Sequence, residues 1–302
     1  MSDPQVLFDR NLLLMRKRRA APNASAHGFL LERVAADFAD RLQTIKRTCH
    51  VGVNIGAYTG EVSRQLRKLQ NVETIIDAEP CLELLKQCSG QKIATDEEAL
   101  PFGHETLDLV VSALAFQFTN DLPGTFAQIR NALKPDGLFL AATLGGDTLI
   151  ELRNAWLIAE EQIYSGASPR VAPFADLRDV GSLLQRAGFA LPVVDTDRIC
   201  VTYASPMALM KEIKAMGASN VLIARSKLPV TRNLLERVCE TYTNLFSTPD
   251  GRIKATFEII TATAWAPHDS QQKPLKPGSA QTRLADALGV AEQSTGDKKP
   301  RS

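Results

Sequence analysis

Short polar and glycine-containing segments stand where the predicted strands of this 302-residue chain end. The first strand runs into Gly56-Ala57-Tyr58-Thr59-Gly60, and the second ends at Asp77-Ala78. Two further segments, Asp96-Glu97 and Ser112 to Ala115, also follow strands. Ligands of open α/β sheets bind just beyond the carboxyl ends of the strands. We therefore expect these four segments to meet in one binding site.

Each segment has a chemistry to which its residue types are suited. Gly56 and Gly60 allow a tight turn that brings the backbone close to a ligand. A carboxylate at Asp77 can accept both hydroxyls of a ribose, and the alternative is a solvated acid at a strand end. Asp96 is placed to accept from an adenine amino group, unless it only forms a turn. The predicted cofactor-binding residues are Gly56, Ala57, Tyr58, Gly60, Asp77, Ala78, Asp96, Glu97 and Ser112.

Dinucleotide binding is the rival interpretation of such a site. A pyrophosphate requires the pattern Gly-x-Gly-x-x-Gly, and that pattern is absent after the first strand. A nucleoside ligand without a phosphate does not need it, so the sequence favours a ligand of that class.

A second pair of carboxylates lies beyond the predicted core strands. Asp147 and Glu151 are four residues apart, which places both on one face of a predicted helix. Such a pair can bind a cationic guanidinium, so both are candidate catalytic residues. The alternative is that Asp147 caps the helix and Glu151 is solvated. The segment Phe116 to Phe118 either lines the acceptor side of the site or packs in the core.

The histidines and cysteines give no metal-binding pattern. None of the four histidines forms a His-x-Asp or His-x-Glu pair, as an iron triad of two histidines and a carboxylate would suggest. The five cysteines include no Cys-x-x-Cys pair and are expected to be free thiols. We predict no metal ligands.

Alternating apolar strands and helices predict the fold. Strands are expected at 51–55, 73–77, 91–95, 107–112 and 138–143, with helices between them, a turn at 134–137 and an amphipathic helix at 29–45. Further helices are expected at 147–164, 175–186, 206–215 and 230–246, and strands at 199–203 and 256–265. This order predicts an α/β, Rossmann-like fold with a mostly parallel sheet and helices on both faces. The expected domains are an N-terminal segment and helix (1–46), a core (47–266) with a helical lid insertion (206–251), and a flexible tail (267–302).

Charge and hydropathy limit the partners. The net charge of +1 argues against nucleic acid, whose binding domains are usually strongly basic. No apolar run approaches the roughly 20 residues that span a bilayer. The basic segment 16–21 is interpreted as a turn over the site rather than a transit peptide, because acids precede it. We expect a bacterial cytoplasmic protein, or a matrix protein if eukaryotic; the oligomeric state is not predicted.

With these residues in place, the chain resembles the class I S-adenosylmethionine (SAM)-dependent methyltransferases. The segments that carry this resemblance are 100–102, 107–111 and 133–137. It is more similar still to the mitochondrial complex I assembly factor 5 family and its bacterial relatives. That similarity covers roughly residues 5 to 285 and rests on segments 8–10, 18–21, 120–124, 145–153, 186–189, 195–197, 216–220 and 278–280. A weaker likeness is to carboxyl methyltransferases that act on malonyl groups.

The resemblance implies a SAM cofactor and hydroxylation of an arginine on a complex I subunit. Two alternatives stay open: a SAM-dependent methyltransferase acting on a small molecule or an acyl carrier, and a non-catalytic assembly scaffold. Asn54 replaces the usual acid of the first strand, and Tyr58 replaces a central glycine. A left-handed conformation at Tyr58 costs about 1–2 kcal/mol, so the loop is expected to be reshaped or strained.

Overall fold

The computed structural model describes residues 6–272, 279 and 282–291. The chain divides after Pro267 into two units. The first contains a single seven-stranded sheet, and the second contains a short helix, Leu284–Leu288. The rest of the predicted flexible tail falls largely outside the described residues.

The sheet has the strand order β3-β2-β1-β4-β5-β7-β6. The strands are β1 (Cys49–Ile55), β2 (Val72–Ala78), β3 (Lys92–Ile93), β4 (Leu107–Ala113), β5 (Leu133–Leu144), β6 (Ala190–Tyr203) and β7 (Ile253–Trp265). Strands β1 to β5 pair in parallel, and β7 runs antiparallel to both β5 and β6. The predicted Rossmann-like, mostly parallel fold is confirmed.

Helices cover both faces of this sheet. They are α1 (Arg10–Ala20), α2 (Phe29–Gln43), α3 (Glu61–Leu66), α4 (Leu82–Leu85), α5 (Leu122–Ala132), α6 (Ile150–Tyr164), α7 (Leu177–Arg186), α8 (Pro206–Ala215) and α9 (Arg232–Phe246), with α10 (Leu284–Leu288) in the second unit. Among the described residues no helix is both long and apolar enough to cross a bilayer.

The alternation of side chains along the central strand builds two cores. All seven residues of β4 are buried, as expected of a parallel strand covered on both faces. Leu109 and Val111 pack in the cluster that includes α2, α3, α6 and α9. Val110 points to the opposite cluster, with Phe126 of α5 and Leu184 of α7.

Several predicted boundaries are wrong. The basic turn expected at 16–21 is the end of helix α1, which Asp9 caps by accepting from the Leu12 N–H at 2.9 Å. The turn expected at 134–137 is a bulge inside β5, with Asp136 in the left-handed region. Strand β6 begins at Ala190, well before the predicted 199, because it pairs with β7 along almost its whole length.

Candidate functional site

The chain crosses over between β1 and β4, and the candidate site lies at their carboxyl ends. After β1 the chain extends the sheet through β2 and β3, and after β4 it extends the other way. At this point Gly56 has a φ of 67°, and a Cβ on it would lie 2.2 Å from the Cβ of Ala115. Only glycine fits this turn, which lets the β1 loop approach the end of β4.

A small cavity of about 100 Å³ opens at this turn. Its walls are largely apolar. Residues from five parts of the chain line it: Leu13 and Lys17 of α1; His27 just before α2, with Leu30 and Leu31 at its start; Gly56 and Tyr58 after β1; Ala113 to Ala115, Gln117, Phe118 and Leu144 around β4 and β5; and Met216 to Ala218 after α8. Small-molecule sites usually measure roughly 300–1,000 Å³, so this cavity must widen to take a whole cofactor.

Two buried carboxylates meet the ammonium of Lys17 beside the cavity. Lys17 Nζ lies 3.1 Å from Glu79 Oε1 and 3.7 Å from Glu97 Oε1. Glu79 and Glu97 are 0% and 2% exposed, and Lys17 is 13% exposed. Arg10, also on α1, pairs with Glu97. We call these four residues the α1 charge cluster.

Electrostatic interactions keep Lys17 and Glu97 of the α1 charge cluster ionised. Burial disfavours the ammonium, but attraction to Glu79 and Glu97 outweighs it and raises the pKa of Lys17 to about 12. Burial also opposes the charge on Glu97, yet Lys17 and Arg10 hold its pKa below the ordinary value. For Glu79, burial exceeds the effect of Lys17, so its pKa is raised. Glu79 is therefore the carboxylate of the cluster whose charged form burial disfavours most strongly against its partners.

Tyr58 adopts the left-handed conformation that its position in the turn requires. Its φ is 54°. Its backbone N–H donates to Glu79 Oε2 at 3.0 Å, and its hydroxyl donates to the Met216 carbonyl at 3.3 Å. The loop therefore keeps its shape with tyrosine in place of glycine, at a cost of about 1–2 kcal/mol. Burial raises the pKa of Tyr58 to about 12, so the phenol remains a donor.

Gln117, which lines the cavity, has a side-chain acceptor without a partner among the described residues. Its amide N–H donates to the Leu114 carbonyl, which fixes the orientation of the group. The buried Oε1 has no hydrogen-bond partner among the described residues. A buried acceptor without a partner costs about 1–3 kcal/mol, so a ligand donor at this point would be favoured.

Comparisons with known proteins agree with this architecture. A methyltransferase domain family matches residues 53–141. The arginine-hydroxylase NDUFAF5, mitochondrial, of Rattus norvegicus is 37% identical over 97% of this chain and 87% of its own length. The Homo sapiens protein is 37% identical over 91% of this chain and 81% of its own. The chain belongs to the NDUFAF5 family of the class I methyltransferases.

Two further known proteins share less sequence identity with this chain. A malonyl-[acyl-carrier protein] O-methyltransferase of Gallionella capsiferriformans is 31% identical over 87% of this chain and 93% of its own length. The solved structure of YcgJ from Bacillus subtilis superposes with a TM-score of 0.53 at 14% identity, covering 76% of this chain and 98% of that one. That structural likeness supports the fold alone.

SAM is the cofactor that membership of the class I methyltransferases assigns, and the residues at the site fit it. The Gly56 turn leaves room where a Cβ would collide. Glu79 offers a buried carboxylate next to cavity-lining Lys17. SAM has no phosphate, in keeping with a turn that lacks the phosphate-binding pattern. To admit the whole cofactor, α1 must shift or give up part of its contact with the site.

Asp77, predicted to bind the ribose, does not line the cavity. It is fully buried and points toward α3, where Oδ2 accepts from Arg67 Nη2 at 2.8 Å. Oδ1 accepts from the Ser63 hydroxyl and from Asn54 Nδ2 at 3.3 Å. Both oxygens are thus used by protein donors. Glu79, two residues further along, is likewise bound by Lys17 and by the N–H groups of Tyr58 and Cys81, but its partners Lys17 and Tyr58 line the cavity.

The other predicted cofactor residues divide between the cavity and its supports. Gly56 and Tyr58 line the cavity, and Glu97 contacts Lys17 beside it. Ser112 donates to the Ile55 carbonyl at 2.9 Å and so holds β4 against β1. Ala57, Gly60, Ala78 and Asp96 do not line the cavity. The Gly56 and Ala57 N–H groups both donate to the Ala78 carbonyl, which holds the turn in place. Gly60 caps the start of α3, and Asp96 pairs with Arg10 at 2.8 Å.

Asp147 and Glu151 are not brought together as predicted. Helix α6 begins at Ile150, so Asp147 precedes it and pairs instead with Arg198 on β6. Glu151 is buried and accepts from the Thr256 N–H at 3.0 Å and the Thr256 hydroxyl at 2.6 Å. Neither residue lines the cavity. Their predicted catalytic role therefore has no geometric support here.

The sequence interpretation missed Glu79, Lys17 and Arg10. A signal for α1 was present, since Asp9 precedes a run of good helix formers from Leu12 to Met15. Of the predicted acceptor wall, Gln117 and Phe118 line the cavity, whereas Phe116 packs on Phe126 and Phe139 in the core. Among the described residues, no group of three or more potential ligands is arranged to hold a metal ion.

Proposed function

We propose that this chain is a SAM-binding enzyme that hydroxylates an arginine side chain of a protein during assembly of respiratory complex I. The NDUFAF5 relatives are named arginine-hydroxylases and match most of the chain. The observation that carries the proposal is the cavity itself, which joins apolar walls to the unused Gln117 Oε1.

An arginine side chain suits this cavity in two ways. Its methylene stem packs against apolar surface such as Phe118 and Leu144, while the guanidinium carries only donors. Gln117 Oε1 is an acceptor without a partner among the described residues, so it can receive one guanidinium N–H. In this arrangement Gln117 orients the substrate and the apolar walls exclude water.

Glu79 and Lys17 are the residues proposed to hold the cofactor. The Glu79 carboxylate is suited to accept ribose hydroxyls, and Lys17 is suited to pair with the carboxylate of the methionine part. When bound, SAM supplies an electrophilic sulfonium centre. Glu97 keeps Lys17 charged and positioned through their ion pair.

The oxidation must balance. Hydroxylation replaces an arginine hydrogen by a hydroxyl group; with dioxygen as oxidant, the second oxygen atom leaves as water and an external reductant supplies an electron pair and two protons. We assign no residue to oxygen activation.

One observation favours the alternative of carboxyl methylation. Lys17 places an ammonium in the cavity wall, where a free carboxylate of a malonyl group would also be attracted. The malonyl-[acyl-carrier protein] O-methyltransferase relatives carry that activity in their names. The two functions differ in product.

The bacterial cytoplasm remains the proposed compartment; the NDUFAF5 relatives are named as mitochondrial.

The test combines cofactor binding with product analysis. Titration of SAM by calorimetry should show binding that Glu79→Gln weakens by about tenfold or more, because a charge-assisted hydrogen bond is worth about 1.5–3 kcal/mol. Asp77→Asn, which keeps the shape of a carboxylate outside the cavity, is the matched control and should bind nearly as wild type, with circular dichroism to verify folding. If Asp77→Asn weakened SAM binding more than Glu79→Gln did, Asp77 rather than Glu79 would be the residue that binds the ribose.

Product analysis then separates the functions. The enzyme is incubated with SAM, a reductant, air and the arginine-bearing complex I subunit from the same organism, and the subunit is examined by mass spectrometry. Addition of one oxygen to an arginine supports the proposal. Methylation of a malonyl-acyl carrier protein in the parallel assay, with an unchanged subunit, would replace it by the methyltransferase function. Failure to bind SAM would favour the scaffold.

A further inference from the structure

A second groove, separate from the cavity, runs between α1 and α8. It measures about 440 Å³. Arg16 and Arg19 line it from α1, and Lys211 and Lys214 line it from α8. The remaining lining residues are small or polar: Ala20, Asn23, Ala215 and Ser219. The lining that the structure describes thus contains four cations and no acid. We call it the basic groove.

The cations of the basic groove lack carboxylate partners in the part of the chain that the structure describes. None of the four cations forms an ion pair with a carboxylate among the described residues. Burial, followed by repulsion from Arg225 and Arg19, lowers the pKa of Arg16. Repulsion between these like charges lowers the stability of the fold, and a bound anion would reduce that repulsion.

The basic groove continues into a second depression that adds apolar surface. The two share Arg16 and Ser219. The continuation is lined by Lys227, by Leu228, whose side chain is 78% exposed, and by Val230, which is 43% exposed. An occupant would therefore meet cations first and apolar side chains further along.

We propose that the basic groove binds an acidic segment of a partner protein, with apolar side chains of that segment resting on Leu228 and Val230. Arg16 and Arg19, like Lys211 and Lys214, are three residues apart on their helices, which separates the members of each pair by about 4.5 Å along the axis. Two such rows facing each other suit several carboxylates spaced along one chain, and charge complementarity of this kind sets partner choice and association rate.

The shape of the surface favours a protein segment over other anions. The cations line a concave groove, so a flat bilayer would reach only its rim. A single phosphate would use two of the four cations and leave the others uncompensated. Nucleic acid usually requires a strong basic excess, whereas this chain has a net charge of +1.

The groove and the cavity share their walls. On α1, Lys17 lines the cavity while Arg16 lines the groove; after α8, Gly217 lines the cavity while Ser219 lines the groove. A segment held in the groove is thus next to the cavity. The identification of that segment as part of the protein substrate rests on the proposed function; acidic docking in the groove does not.

The test uses fluorescence anisotropy with a labelled peptide of Glu and Leu residues, and a peptide in which Gln replaces Glu as the uncharged control. The groove variant is Arg19→Glu combined with Lys214→Glu. Its matched control is Lys46→Glu combined with Lys68→Glu, which makes the same charge change at exposed positions outside both grooves. We expect the groove variant to bind the acidic peptide at least about tenfold more weakly, about 1.4 kcal/mol, and the control variant to bind as wild type.

Three results would overturn the proposal: no binding by wild type, equal weakening in both variants, or displacement of the peptide by anionic phospholipid vesicles or by RNA more effectively than by excess unlabelled peptide. SAM calorimetry separates the two sites. Normal SAM binding with lost peptide binding in the groove variant supports the groove whatever the reaction, whereas peptide binding without SAM binding in the wild type removes the proposed function alone.

Discussion

Two groups of carboxylates near the strand ends differ in what their oxygens bind. In the α1 charge cluster, Glu79 and Glu97 bind side-chain cations of helix α1, and Glu79 also accepts from the N–H groups of Tyr58 and Cys81. Near β7, Glu151 binds the backbone N–H and the hydroxyl of Thr256, a residue within the sheet. If α1 moves, the first group can exchange its cationic partners for a ligand, whereas Glu151 can lose its partners only if the sheet opens. The difference teaches that a buried carboxylate indicates a ligand site only where its present partner can leave.

The largest effect should come from removing the shared cation of the α1 charge cluster. Lys17→Met leaves Glu79 and Glu97 buried with only Arg10 to offset them, so we expect a loss of about 3–5 kcal/mol in the free energy of unfolding. The measurement is urea denaturation. The raised pKa of Lys17 means that its pairing stabilises the fold fully below its ordinary value of 10.5 and is lost as pH rises through about 12. The difference from wild type should therefore be the same at neutral pH and at pH 9.

A double variant tests whether the effect belongs to the pair. Glu79→Gln in the Lys17→Met background removes the unpaired carboxylate and leaves Glu97 with Arg10. It should recover much of the lost stability, giving a clear coupling energy in the double-mutant cycle. Simple addition of the two losses would contradict the ion pair as its source.

Glu151→Gln tests the second carboxylate of the comparison, the one bound to Thr256 in the sheet. The amide retains one oxygen for Thr256 but turns a donor toward the second bond, so we expect a loss of about 1–3 kcal/mol with unchanged SAM affinity. Thermal unfolding and calorimetry measure the two quantities. Thr256→Val, which removes only the hydroxyl partner, is the matched control. Loss of product formation with normal stability and SAM binding would instead support the catalytic role predicted from the sequence.

The sequence predicted what depends on local pattern and missed what depends on distant partners. The apolar runs of β1, β2 and β4 and the Gly56 turn follow from composition and spacing. Which acid faces the cavity does not, because Asp77 and Glu79 are both strand-end acids and only packing against α3 and α1 distinguishes them. The pairing of Lys17 with Glu79 joins residues 62 positions apart, and no periodicity reports such a contact.

The smallest effect is expected at Asp147, the exposed member of the pair that the sequence singled out. It pairs with Arg198, and the two side chains are 42% and 62% exposed. Solvent screens such pairs, so Asp147→Asn should change the free energy of unfolding by less than about 1 kcal/mol and leave SAM binding and product formation intact. Arg198→Gln, measured alongside by urea denaturation, should lose as much or slightly more, because it removes the same contact and also the 3.9 Å ion pair with Glu258. A large loss of product in Asp147→Asn but not in Arg198→Gln would mean that Asp147 leaves Arg198 to meet the substrate. Asp147 would then be a further carboxylate whose protein partner can be replaced by a ligand.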